Sequence, residues 1–394
     1  MIRKRDFVKF RNAIQIDIYG ASHADAVGVV IEGLPAGEEI DRAALAAFLA
    51  RRVPGAAGAA ATDAIAGLAT TVVSNAGEVE QAIAGFSATT RREPDDVVFR
   101  SGVRVAAGSG DDRLTGSEQT VVTTGEPLDA YIRNVDARPG DYDALRTVLR
   151  PGHADLGAFL KYGLEGLQPG GGRHSGRMTA PLCIAGGIAK QILARRGITV
   201  QAAAVEIGGI ACGSNGGPDA AEWIIDRIEA ARAAGDSLGG IVECRVCGMP
   251  AGVGDALFDG LERDIASAVF AIPAVKGLEF GAGFAAARMT GLENNDDIAL
   301  RDGVPVTVTN HCGGLSGGIT TGADIVFRVA FKPVPTIATE QRTVDVGTMQ
   351  ETTVRGTGRH DVCIVPRAVP VVEAAAAVAV LDRLLYENRT HGTK

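Results

Sequence analysis

Three arginines, two histidines, a lysine and a serine fall between Arg150 and Thr179: Arg150-Pro-Gly-His-Ala-Asp155, then Lys161, then Gly170-Gly-Gly-Arg-His-Ser-Gly-Arg-Met-Thr179. Arginine binds phosphate and carboxylate through planar paired donors, and a glycine run lets backbone N–H groups come close to a ligand. This is the composition of an anion pocket. Arg150, His153, Arg173, His174, Ser175 and Arg177 are its candidate contacts.

The element that must hold this pocket follows directly. Ala180 to Arg196 carries Pro181 in its first turn, Ile184, Ile188 and Ile192 at helical spacing, and Gly197 as a stop, which predicts a helix. Arg173, Ser175 and Arg177 then stand at a helix N-terminus, where unpaired N–H groups and the positive end of the dipole add to the arginines.

Other histidines also sit in polar loops rich in glycine. His23 lies between two predicted strands, Ile14–Ile18 and Val27–Ile31, in Tyr19-Gly-Ala-Ser-His-Ala-Asp25. His311 precedes Gly313-Gly-Leu-Ser-Gly-Gly318, and His360 lies in Gly358-Arg-His-Asp361. Taken singly, a loop histidine is more often solvated than catalytic. Several in such loops point to a shared cleft. Lys332-Pro-Val-Pro-Thr336 closes a strand alternating Ile325, Phe327, Val329 and Phe331, with a rigid turn that could aim its ammonium at a ligand.

In order, the chain reads as a helix from Asp41 to Arg52, an Ala/Gly/Thr-rich excursion over about 56–87, and a strand from Val97 to Val103. A second polar excursion covers about 104–122. Beyond the central helix come a strand (Ile198–Ile207), a helix (Pro218–Ala234), a strand ending at Cys247, a helix from about Asp255 to Phe270 and a last helix from about Val371 to Tyr386. Gly33-Leu-Pro-Ala-Gly37 and Gly248-Met-Pro-Ala-Gly252 each follow a strand and precede a helix. That echo suggests two related halves folded as one unit.

At 394 residues, 46% hydrophobic and 22% charged, the chain has the make-up of a globular domain with a sizeable core. No run reaches membrane-spanning length and no apolar leader opens the chain, so the expected location is the cytoplasm. A net charge of −8 argues against a nucleic-acid surface and leaves the central arginines as a local basic pocket. The six cysteines are scattered, and Cys244-x-x-Cys247 has no second pair or nearby histidine, so no metal is expected.

These motifs resemble the chorismate synthase family over nearly the whole chain outside 56–87 and 104–122. The resemblance rests on Arg150–Asp155, Asp236-Ser-Leu-Gly-Gly240, Pro273-Ala-Val-Lys-Gly277, Gly281-Ala-Gly-Phe-Ala-Ala-Ala-Arg288, Gly313-Gly-Leu-Ser-Gly-Gly-Ile319, Phe327-Arg-Val-Ala-Phe-Lys-Pro333 and Gly358–Asp361. It implies an α+β fold, a β-α-β sandwich with helices packed between antiparallel sheets, in a single domain assembled as a homotetramer. It implies anti-1,4-elimination of phosphate from 5-enolpyruvylshikimate 3-phosphate to give chorismate, the work of a carbon–oxygen lyase. Reduced FMN is the implied cofactor, with NADPH only if the chain also reduces its own flavin.

By position, the resemblance makes His23, His153 and Asp361 catalytic: His23 toward the departing phosphate, His153 toward the charge on the reduced flavin, Asp361 near flavin N5. Flavin contacts would come from Arg173, His174, Ser175, Pro273, Ala274, Gly317, Lys332, Pro333, Val334, Pro335, Thr336 and Arg359. Ser22, Arg52, Arg150 and Arg177 would hold the substrate. The family's first motif usually reads Gly-Glu-Ser-His-Gly; here Ala21 and Ala24 replace Glu and the second Gly, and arginines usual after Pro54-Gly55 are missing. Two alternatives therefore stand beside the enzyme: a paralogue that binds FMN or an anion without turnover, and a flavin-dependent lyase on a related phosphate.

Overall fold

The computed structural model describes residues 8–11, 13–53, 95–106, 120–135, 146–212, 220–356 and 361–391. The excursion expected at 56–87 lies outside them, as do Arg359 and His360.

In the first half, β1 (Val8–Arg11), β2 (Gln15–Gly20), β3 (Ala26–Glu32) and β4 (Glu39–Asp41) lead into α1 (Arg42–Ala50). Then follow β5 (Val98–Ser101), β6 (Val103–Val105), β7 (Thr120–Thr123) and β8 (Leu128–Arg133). Arg104, Val105 and Thr120–Val122, at the ends of the second expected excursion, are strand residues, and Val121 is in the core. An antiparallel sheet runs β1-β2-β3-β8-β5. Helices α2 (Asp155–Tyr162) and α3 (Thr179–Ala194) come next.

The second half holds β9 (Thr199–Ile207), β10 (Ile210–Ala211), α4 (Ala220–Ala233), β11 (Gly240–Cys247), α5 (Leu261–Phe270) and β12 (Val275–Phe280). After α6 (Gly291–Asn294) come the hairpins β13 (Ile298–Arg301) with β14 (Val304–Thr307), and β15 (Leu315–Ser316) with β16 (Ile319–Thr320). Strand β17 (Ile325–Phe331), the hairpin β18 (Gln341–Asp345) with β19 (Gln350–Val354), and α7 (Val365–His391) complete the described chain. The second sheet, β10-β9-β11-β17-β12, is again antiparallel.

Helices α3 and α7 pack on each other, α3 against β2, β3 and β8 and α7 against β9 and β11. The helices thus lie between the two sheets, as the resemblance implies. A Cβ at Gly186 of α3 would stand 2.2 Å from Ala374 Cα of α7, so glycine and the run Ala374–Ala377 let the two backbones meet closely. Because α7 is covered by α3, α5 and the second sheet, most of it is apolar all round, as a fully buried helix must be.

Two helix starts differ from the sequence reading. Helix α7 begins at Val365 rather than near 371, because Pro366 sits in its first turn and Pro370 is accommodated inside it. Helix α5 begins at Leu261 rather than near Asp255, because Leu257 takes φ 56° and Gly260 has extended backbone, with a Cβ there 3.0 Å from Gly318 Cα.

The echoed pentapeptides have the same structure. Gly33 and Gly37 both have φ +87°, and Gly248 and Gly252 have +81° and +87°. A Cβ would stand 2.2 Å from Ala13 O at Gly33 and 2.2 Å from Gly197 O at Gly248. One buried threonine closes each turn. Thr123 Oγ1 donates to Pro35 O at 2.6 Å and accepts from Glu38 N–H at 2.9 Å; Thr320 Oγ1 donates to Pro250 O at 2.7 Å and accepts from Val253 N–H at 2.9 Å. The halves are structural repeats.

Candidate active site

The turn between β2 and β3 carries Ser22 and His23, and it lies against the glycine run before α3. Ser22 N–H donates to Gly172 O at 3.3 Å, and Ser22 Oγ stands 3.0 Å from His23 Nδ1. Gly170, Gly171 and Gly172 all have positive φ. A Cβ at Gly170 would be 2.3 Å from His23 Cε1, and one at Gly171 would be 3.7 Å from Arg150 Nη2. These glycines let the His23 imidazole and the Arg150 guanidinium approach one surface from two sides. Beyond them, Ser175 caps the short turn leading into α3, its Oγ accepting from Arg177 N–H at 3.3 Å.

Arg150 is fixed by Asp155 in a two-pronged pair, Nε to Oδ2 at 2.7 Å and Nη2 to Oδ1 at 2.8 Å. His153, three residues on, has Nδ1 3.0 Å from Pro151 O and Nε2 2.8 Å from Thr336 Oγ1. A carbonyl can only accept, so Nδ1 carries the proton and Nε2 accepts from the threonine hydroxyl. Burial, then the Arg150 charge, pushes the His153 pKa down to about 4. Its ring is therefore neutral at pH 7, and an anion placed beside it would raise the pKa. Lys332 Nζ donates to Gly152 O, and Lys332 N–H donates to Ala274 O at 3.0 Å, which ties Pro273 and Ala274 to the same region. Ala274 has φ 73°, a strained conformation for a residue with a side chain.

Val334 joins through its carbonyl, which accepts from Ser237 Oγ at 2.6 Å. The next residue, Leu238, donates its N–H to Val362 O at 2.8 Å, beside Asp361. Asp361 accepts from Arg367 Nη1, while Arg367 Nε donates to Arg52 O at 2.9 Å. Pro335 stands over Gly152. Lys161 and Arg173 both hydrogen-bond Tyr162 and lower its pKa. Partial burial, then Arg173, lowers that of the exposed His174.

Arg52 and Arg177 are nearly enclosed and share Asp95. Arg52 Nη2 donates to Asp95 Oδ2 at 2.6 Å and Arg177 Nη1 to Asp95 Oδ1 at 2.5 Å. The three groups sum to one positive charge. Arg177 Nε also donates to Asn134 Oδ1 at 3.0 Å. Sequence reasoning missed Asp95 and Asn134. Their only signal was position, Asp95 just before β5 and Asn134 just after β8, polar residues at the ends of strands in the sheet that carries His23.

Gly317 stands apart. It lies at the tip of the β15–β16 hairpin, whose backbone bonds to Val253 and Leu261, and none of the described contacts joins it to the His23 region. Ala24 does not have a positive φ, so alanine is unstrained where the family usually has glycine.

The donor set fits FMN and a substrate bearing several anionic groups. Lys332 and Arg173 are half-buried and Lys161 is exposed, so they can meet a phosphate while keeping protein partners, and the glycine run leaves backbone accessible. Among the described residues no cluster of His, Cys, Asp or Glu could hold a metal ion.

A family model described as chorismate synthase matches residues 14–385. A chorismate synthase of Chitinophaga pinensis is 41% identical over 382 residues, covering 97% of this chain and 98% of the relative. One from Thermococcus kodakarensis is 39% identical over 394 residues, covering 96% and 98%. A crystal structure of chorismate synthase superposes with a TM-score of 0.65 at 23% identity, covering 96% of this chain and 93% of the other, and so shares the fold. The chain belongs to the chorismate synthase family.

Proposed function

We propose that this protein converts 5-enolpyruvylshikimate 3-phosphate to chorismate by anti-1,4-elimination of phosphate, with reduced FMN as cofactor, as a carbon–oxygen lyase of aromatic amino acid biosynthesis. The observation that carries the proposal is the meeting of the Ser22–His23 turn with the Gly170–Gly172 run, next to the Arg52–Asp95–Arg177 network, in a chain of this family.

Each group then has a task. Arg177 and Arg52, net positive after Asp95, together with Arg150, draw the substrate's phosphate and carboxylates. His23, oriented by Ser22, gains a proton when the substrate's anions stand beside it and gives that proton to the departing phosphate. When bound, reduced FMN would supply transient electron donation to help expel phosphate and would accept the C6 hydrogen. Arg173, His174, Ser175, Pro273, Ala274, Gly317, Arg359 and the segment Lys332–Thr336 hold and orient the flavin. His153, fixed in one tautomer by Pro151 and Thr336, takes up a proton beside the reduced ring's negative charge. Asp361, held by Arg367, acts near the flavin N5 edge. The working form is a homotetramer in the cytoplasm.

The test is an anaerobic assay with this substrate and chemically reduced FMN. Chorismate formation supports the reading; no turnover with both flavin and substrate bound defeats it. Repeating the assay with NADPH and oxidised FMN shows whether the chain reduces its own flavin.

A further inference from the structure

Asn134 is placed to do more than end β8. Its Nδ2 donates to Ala21 O at 3.1 Å and to Ala24 O at 2.7 Å, and its own N–H donates to Asp25 O at 3.0 Å. Ala21 and Ala24 flank Ser22 and His23, so one carboxamide holds both sides of the turn that presents them. The other end of the same carboxamide accepts from Arg177 Nε at 3.0 Å, and Arg177 shares Asp95 with Arg52. Only this orientation of the amide pairs donors with carbonyls and an acceptor with the guanidinium.

We propose that Asn134 is a positioning residue that fixes the His23 turn relative to Arg177, and so sets the distance between the proton donor and the cation that holds the leaving anion. This rests on the function proposed above. Two features carry it. All three contacts to the turn are to backbone carbonyls, so the clamp does not depend on which side chains stand at 21 and 24, and alanine at both leaves it intact. An aspartate at 134 has nearly the same shape and keeps a bond to Arg177, but its carboxylate would face two carbonyls it cannot donate to. Shape alone therefore does not satisfy the site.

Steady-state kinetics with reduced FMN are measured for the wild type, Asn134→Ala, Asn134→Asp, His23→Ala and the double variant His23→Ala/Asn134→Ala. Asn134→Ala and Asn134→Asp should each lower kcat roughly 10- to 100-fold, as misplacement of a reacting group does, with flavin affinity unchanged. In the His23→Ala background, Asn134→Ala should cost less than threefold more, because the group it positions is gone. Losses that multiply in the double variant, or an Asn134→Asp enzyme as fast as wild type, would overturn the proposal.

A second measurement does not need turnover. In spectra of the protein carrying 13C-labelled histidine, Asn134→Ala should move the His23 resonance and leave that of His153 in place. An unmoved His23 resonance rejects the clamp, whereas an inactive wild type with a moved His23 resonance rejects only the proposed reaction.

Discussion

In the first half, β2 passes to β3 through residues 21–25, a turn that holds Ser22 and His23; in the second, the same step from β9 to β11 takes residues 208–239 and includes β10 and α4. The order of the other four strands of each sheet (β2-β3-β8-β5 against β9-β11-β17-β12), the paired glycines and the closing threonine are the same in both. The repeated parts make the frame. The three residues proposed as catalytic, His23, His153 and Asp361, stand where the repeat fails: in the short turn, in the link from β8 to α3, and in the link from β17 to α7.

That contrast can be broken at its strongest point first. His23→Ala and His153→Ala, both in unrepeated links, should lower turnover with reduced FMN by roughly two to four orders of magnitude, as loss of a general acid or base does. The melting temperature of each should stay within a few degrees of wild type. Turnover equal to wild type in both variants would remove the chemistry from these links.

In the frame, the effect should be on stability, and equal in the two halves. Gly33→Ala and Gly248→Ala each force a Cβ to 2.2 Å from a carbonyl oxygen at positive φ. Each should cost about 3 kcal/mol or more in denaturant unfolding. A loss at one position only would show that the matching geometry is not matching energetics. Smaller but parallel losses are expected for Thr123→Val and Thr320→Val, about 1–3 kcal/mol each, since either leaves an at least partly buried N–H and C=O without the hydroxyl. Unfolding curves of the two variants that differ by several kcal/mol would break the equivalence.

The smallest effect separates the halves. Helix α1 is capped by Asp41, which accepts from Ala44 N–H at 3.0 Å, whereas α5 begins after Gly260 with no side-chain cap. Asp41→Ala should cost about 1 kcal/mol, and Gly260→Ala should gain nothing, because its Cβ would meet Gly318 Cα at 3.0 Å. A stabilised Gly260→Ala protein would show that the hairpin beside it yields.

Much of this was legible from local pattern. The alternation Ile325, Phe327, Val329, Phe331 is buried at each of those positions in β17, and the helix read from Ala180 to Arg196 is α3 from Thr179 to Ala194. The Gly-x-Pro-Ala-Gly echo reported the repeat because the turn needs glycine at both ends and proline between. What stayed hidden depends on partners far along the chain. Asp95 meets Arg177 across 82 positions and Asn134 meets Ala21 across 113, and no spacing rule links such residues. Pro370 misled for the opposite reason. A proline usually marks a helix boundary, but packing against α3 and the second sheet carries α7 through it.

Helix α7 also sets the order in which the molecule can be made. Ile14 N–H donates to Asp382 Oδ1 at 2.7 Å, and Arg389 donates to Ala13 O at 3.1 Å and to Gly33 O at 2.9 Å. The residues just before β2 and the turn after β3 are thus sealed by side chains 356 to 376 positions further along the chain. A stretch of that length takes on the order of tens of seconds to synthesise, so α3 can cover the inner face of the first sheet well before α7 arrives to pack on α3. A nascent chain stalled before Val365 would lack these contacts and present the side of α3 that α7 covers to chaperones.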